Sequence, residues 1–129
     1  MKFISIFFLV GSCCLVEGMI KEYIYYPGAT YWYDAQWQCR LHHSDLATIS
    51  TAEEQQRLVE SFDFSKSVWT GLRFMDGNWF WLSGEPTQSL DLLPSCPAHP
   101  YRCGALNNNT NIWENRDCNE NLNFLCYWK

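Results

Sequence analysis

Apolar positions along this chain follow several rhythms in turn, and each change of rhythm marks a boundary. An unbroken apolar block, residues 3–10, comes first. Alternation over residues 23–26 then predicts a β-strand, which Pro27-Gly28 would turn. Thr30 is placed to cap a helix over residues 31–41, in which Trp32, Ala35 and Cys39 recur at spacings of three and four. Residues 45–49 read as a short strand. Ser50 stands three residues before Glu53, and Thr51 three before Glu54, a capping signature for a second helix. That helix carries Leu58, Val59 and Phe62 and is expected to end near Asp63.

From there the periodicity shortens. Residues 68–72 form an apolar run, Asp76-Gly77 signals a hairpin, and residues 78–81 supply its second strand. Regular pattern then disappears from 83 to 102, where Pro86, Pro94, Pro97 and Pro100 punctuate the chain. A loop that long inside a compact domain is usually functional or disordered. Two further runs, 103–106 and 123–127, read as strands, separated by a polar, Asn-rich turn and Trp113. No internal repeat or linker divides the chain, so a single domain is expected.

The first block changes meaning once its flanks are read. Lys2 precedes it and Val16-Glu17-Gly18 follows, the layout of a signal peptide over residues 1–18 that leaves a domain over 19–129. The apolar run is too short to span a bilayer, and no other segment is long and apolar enough, so no membrane span is expected after cleavage. Removal takes away Lys2 and Glu17 together, so the net charge stays at −5. No basic stripe exists, which argues against nucleic acid as a partner. Cleavage also removes Cys13 and Cys14, leaving Cys39, Cys96, Cys103, Cys118 and Cys126. Export makes disulfides the default, and the odd count leaves one sulfur without an internal partner. Four cysteines allow three pairings, and spacing alone does not choose among them.

Read in order, these residues resemble the C-type lectin-like domain family over essentially the whole mature chain. The matching positions are Thr30-Tyr31-Trp32, Ala35, Cys39, Leu46-Ala47-Thr48-Ile49, Glu54, Trp69-Thr70-Gly71-Leu72, Trp81, Gly84, Cys103, Trp113, Cys118 and Cys126. The resemblance implies an α+β fold: two helices against short antiparallel sheets, a long irregular loop, and disulfide staples. It also implies the pairings Cys39–Cys126 and Cys103–Cys118. Loops of those lengths would contribute roughly 4–5 and 3 kcal/mol respectively. Trp69, Trp79, Trp81 and Trp113 are then expected in the core, because indoles bury large apolar areas. Gly71 is expected to permit close packing.

Many members of the family bind sugar through calcium, which requires six to eight hard oxygen ligands. The family draws them from an E-P-N triplet in the long loop, an acidic residue before the loop's closing cysteine, and W-N-D on the next strand. Glu85-Pro86-Thr87 imitates the triplet but follows Gly84 directly, whereas the family's triplet comes well after that glycine. Its slot falls on Cys96-Pro97-Ala98, where Pro97 leaves room for a cis bond and the flanking oxygens are missing. Tyr101 stands where a carboxylate is expected, and Trp113-Glu114-Asn115 replaces W-N-D. Candidate ligand-contacting residues are therefore Glu85, Pro97, Tyr101, Glu114 and Asn115. Of these, only Glu85, Glu114 and Asn115 are weak candidates for calcium, and no cofactor is expected.

Cys96 is the leftover sulfur. It suits an intermolecular disulfide, as in the venom lectin-like dimers this loop is similar to, or a free thiol. A metal site with His99 and Cys103 competes, but it would take Cys103 from its bridge and lacks a fourth ligand. Asn108-Asn109-Thr110 is an N-glycosylation sequon. His42 and His43 read as solvated residues at a helix end, with no nucleophile in a recognisable setting beside them, so no enzyme activity is expected. The expectation is a secreted, extracellular binding module that recognises glycan or protein through residues 83–102 without a well-formed calcium site. Two alternatives stand beside it: a calcium-dependent carbohydrate-binding lectin, and a disulfide-linked dimer subunit joined through Cys96.

Overall fold

The structure, a computed structural model, describes residues 21–63, 66–87, 93–107, 109–110 and 112–128. The expected signal segment, 1–18, and the sequon asparagine Asn108 lie outside them. The element order is β1 (Glu22–Thr30), α1 (Trp32–His42), β2 (Asp45–Leu46), α2 (Ala52–Ser61), β3 (Val68–Met75), β4 (Asn78–Trp81), β5 (Cys103–Asn107), β6 (Ile112–Arg116) and β7 (Leu122–Trp128). The strands make one sheet in the order β1-β7-β3-β5-β6, with β2 on β7 and β4 on β3. This is the two-helix α+β architecture. One feature differs from an antiparallel arrangement: β7 lies between β1 and β3 and pairs with β3 in parallel.

Local chemistry explains the elements. Trp32, Ala35 and Cys39 form the buried face of α1. The Trp32 indole donates to Thr70 O at 2.9 Å, and the Trp69 indole donates to Thr30 O at 2.9 Å, so two large rings are buried with their N–H groups satisfied. Thr51 caps α2 by accepting from Glu54 N at 3.0 Å, while Glu54 Oε1 reaches back to Ser50 N at 3.0 Å. Asp76 and Gly77 both take positive φ, 52° and 84°, which is what a two-residue hairpin turn demands.

Three local expectations are corrected. Pro27-Gly28 does not end β1; the strand continues to Thr30 and absorbs the pair as a bulge against β7. An edge strand can carry a proline because its missing N–H costs no ladder bond. Thr30 does not cap α1. Its hydroxyl donates to Asp34 Oδ2 at 2.8 Å, and the N-cap position is Tyr31, which makes no side-chain cap bond. His43 is only half exposed, hydrogen-bonded to Tyr26 and set edge-on against Trp128 at 4.4 Å. Burial first, and then the neighbouring His42, disfavours its imidazolium form and holds its pKa below the usual histidine range.

Two disulfides staple the sheet. Cys39–Cys126 joins α1 to β7, and Cys103–Cys118 joins β5 to the turn after β6. Gly71 sits where β3 passes β2: a Cβ there would lie 2.8 Å from Leu46 O and 3.1 Å from Ala47 O. Only glycine lets the backbones approach so closely.

Candidate functional site

Two tryptophans make the floor of the loop between β4 and β5. Trp81 is buried at the end of β4 and meets Trp113 of β6 edge to face, with ring centroids 5.3 Å apart. Leu93 is buried in the same cluster. Above this floor, residues 93–102 are tied down mainly by donors that reach backbone carbonyls. Trp79 Nε1 donates to Pro94 O at 2.8 Å, and Arg102 Nε donates to Pro97 O at 2.8 Å. Arg102 Nη1 lies 2.8 Å from His99 Nε2, and its guanidinium sits over the Phe74 ring at 5.3 Å. Pro100 O accepts from both Arg102 N and Cys118 N. A planar fork of donors suits Arg102 to serving several partners at once.

The candidate residues fall into separate settings. Glu85 Oε1 accepts from Lys21 Nζ and from Ser50 Oγ, each at 2.7 Å. The same ammonium pairs with Glu54 at 3.0 Å, and the Lys21 side chain is only 4% exposed. Glu114 accepts from Ser67 Oγ at 2.6 Å, Asn107 Nδ2 at 3.1 Å and Arg116 Nη1 at 3.0 Å. Burial pushes the Glu114 carboxyl up, but those three hydrogen bonds and the Arg116 charge outweigh it and hold it below the usual range. Asn115 instead donates to Tyr101 O at 3.1 Å, so these two are brought together. The Tyr101 ring is half exposed. Pro97 contributes its carbonyl to Arg102, and the cis peptide lies one proline further on, at His99–Pro100, rather than at Pro97. Cys96 is exposed and unpaired.

Sequence reasoning passed over Lys21, Ser67 and Arg102, and read Ser50 only as part of a capping signature. Nothing in the spacing of these residues marks the roles they take, because each acts across a long stretch of chain or on a carbonyl.

Calcium does not fit these residues. Its ligands must converge on one point and be free to coordinate. Glu85 is drawn to an ammonium, Glu114 is occupied by three donors, and Asn115 turns its N–H toward Tyr101. Among the described residues no group of three or more His, Cys, Asp or Glu side chains could hold a metal ion. No helix among them is long and apolar enough to cross a membrane.

The model of the "Lectin C-type domain" matches residues 29–128, so the chain belongs to that family. It is 30% identical to lectin BRA-3 of Megabalanus rosa over 138 residues, covering 95% of this chain and 85% of that protein. It is 28% identical to the secretory phospholipase A2 receptor of Pongo abelii, covering 81% of this chain but only 8% of that receptor's length. Among solved structures it resembles the cow CD23 carbohydrate-recognition domain, solved in the presence of a GlcNAc2Man3 oligosaccharide. That likeness has a TM-score of 0.68 at 24% identity and covers 83% of this chain and 86% of that one. It also resembles a Ca2+-dependent type II antifreeze protein in its Ca2+-free form, with a TM-score of 0.71 at 20% identity, covering 90% of this chain and 96% of that one. At such identities these structural likenesses speak for the fold alone.

Proposed function

We propose that this chain is an exported binding module of the C-type lectin class whose long loop and adjoining β6 face recognise a glycan or protein ligand without calcium. The observation that supports this most is the engagement of the oxygens a metal would need. The Glu114 carboxylate is bound by Ser67, Asn107 and Arg116, and Glu85 by Lys21 and Ser50. Loop order is supported by Trp79 and Arg102 acting on proline carbonyls. Tyr101 offers a half-exposed ring beside Asn115, a pairing of apolar face and amide that suits a sugar or a protein edge. Disulfides fit an oxidising, extracellular setting, and no enzyme activity is proposed.

Calcium titration by calorimetry and a glycan array, each with and without EDTA, test the reading. Heat consistent with a sub-millimolar calcium site, or glycan binding abolished by EDTA, replaces it with the calcium-dependent lectin. A second reading, a disulfide-linked dimer, is favoured by the exposed and unpaired Cys96. It expects dimer mobility on a non-reducing gel that disappears on Cys96→Ser.

A further inference from the structure

Helix α1 presents two opposite faces. Trp32, Ala35 and Cys39 are buried, whereas Tyr33, Trp37 and Leu41 are 49%, 62% and 57% exposed. Those three stand at four-residue intervals, which on a helix of 3.6 residues per turn puts them within an arc of about 80°. They form a largely apolar stripe on the outer side of the helix, with the Tyr33 end held against β3: its hydroxyl accepts from Arg73 Nη2 at 2.6 Å and its ring lies 4.9 Å from that guanidinium. Trp37 is the most exposed of the protein's described large hydrophobic side chains. Single exposed apolar residues are ordinary, but an aligned stripe of two aromatics and a leucine is the pattern of an interaction face.

Its flanks say what it fits. Asp34 and Arg40 each lie about 60° from the centre of the stripe, on opposite sides, and three residues before and after Trp37. The acid therefore stands at one corner of the patch and the base at the diagonally opposite corner. A two-fold axis through Trp37, lying in the contact plane and inclined to the helix, exchanges the two corners. Each Asp34 then meets the partner's Arg40, while apolar side chains meet across the axis. A patch that carries both signs in this arrangement is complementary to itself, which is the requirement of an isologous dimer. Intrachain bonds leave capacity for the contact: Thr30 and Gln38 both use Asp34 Oδ2, and Asp45 is bound by Arg40 Nε and Nη2.

The geometry points to a second copy of this chain as the occupant of the α1 stripe, in a symmetric dimer crossed at Trp37. Three side chains half to two-thirds exposed offer roughly 300–400 Å² per copy, below the ~800 Å² per partner of a stable complex. The dimer is therefore weak and reversible. The ion pairs select orientation and partner more than they add affinity. This interface is independent of the loop and of Cys96, and it stands whether or not the proposed mode of ligand recognition does.

Sedimentation equilibrium on the full secreted chain carrying Cys96→Ser, from about 10 μM to 1 mM, tests it. The expected result is a mass that rises reversibly toward twice the monomer value. Trp37→Glu weakens association at least about tenfold, as a charge placed at the centre of the patch should. Asp34→Arg weakens it several-fold by setting like charges against each other, and Asp34→Arg combined with Arg40→Asp restores it to within about threefold. Circular dichroism and melting of each variant verify folding, which exposed Trp37 does not support. A chain that stays monomeric at 1 mM, or an association that Trp37→Glu leaves intact, overturns the proposal. Failure of the double charge swap to restore association in a folded variant does so as well, since an unspecific sticky face would not respond to the sign of its flanks.

Discussion

The α1–β7 half of the molecule and the 93–102 loop are held together by different physics. Around Cys39–Cys126, stability comes from apolar side chains filling space: Trp32, Trp69, Phe124 and Leu122 pack in one cluster with the disulfide. The loop has few buried apolar anchors, Leu93 and Pro97, and is held mostly by donors that reach its carbonyls, from Trp79, Arg102, Asn115 and Cys118 N. Packing of the first kind resists any change of volume and is shared by many contacts. Ties of the second kind are few, so losing one frees a local segment and leaves the rest standing. This is the combination a binding module needs, a rigid frame with a recognition segment that varies without unfolding it.

The largest effect expected from breaking the frame comes from Cys39→Ala together with Cys126→Ala. The bridge spans 87 residues of sequence, and its loss should lower stability by about 3–5 kcal/mol. The corresponding pair at Cys103 and Cys118, separated by 15 residues, should lose about 3 kcal/mol or less. Chemical denaturation of the two double variants ranks them; equal losses would mean that the long bridge adds nothing beyond the short one. Next comes Gly71→Ala. The new methyl would meet two backbone oxygens that cannot rotate away, so a loss of about 1–3 kcal/mol is expected. A variant as stable as the parent would show that β2 can shift freely off β3.

The same contrast explains what could be read from the chain. Trp32, Ala35 and Cys39 announce a helix face because burial on a helix has a period, and the Thr51–Glu54 pair announces a cap because its spacing is fixed by the first turn. Pro27-Gly28 misleads, since the dipeptide that opens a turn also sits comfortably in a bulge at a sheet edge. Thr30 misleads because its hydroxyl found Asp34 instead of a backbone N–H. Loop residues resist reading for a further reason. Arg102 acts on Pro97 O, and every residue has a carbonyl, so the acceptor leaves no trace in the sequence. Glu85 looks like half of a metal triplet, and only the fold reveals that Lys21, 64 residues away, is its partner.

Arg102→Ala sharpens the comparison from the loop side. Its guanidinium serves Pro97, His99 and the Phe74 ring together, and both of its hydrogen-bond partners lie in the loop itself. Global stability should fall by only about 1 kcal/mol, the scale of one hydrogen bond. Hydrogen exchange of the amides of Tyr101 and Arg102, which are bonded to Ala98 O and Pro100 O, should accelerate by at least about tenfold, far more than those of β7. Uniform acceleration across both regions would show that loop and frame open as one unit.

The smallest expected effect concerns acid. Glu114 ties β6 to the central sheet, because it takes Ser67 just before β3 and Arg116 on its own strand. Its folded-state carboxyl titrates below the ordinary value of 4.5. Folding therefore favours the ionised form, and the stability this adds is fully present above that ordinary value. It is lost as pH falls through the lower, folded-state value, since protonation removes an acceptor from Ser67, Asn107 and Arg116. Glu114→Gln should be less stable than the parent at neutral pH and should converge with it in acid, so that its stability falls less steeply below pH ~4.5. Denaturation curves at stepped pH measure the difference. The bond from Arg102 to Pro97 O contains no group that titrates in this range, so Arg102→Ala should keep the parent's acid slope. Parallel acid slopes for Glu114→Gln and the parent would place the acid sensitivity on other carboxylates and remove Glu114 as an acid-sensitive tie between β6 and β3.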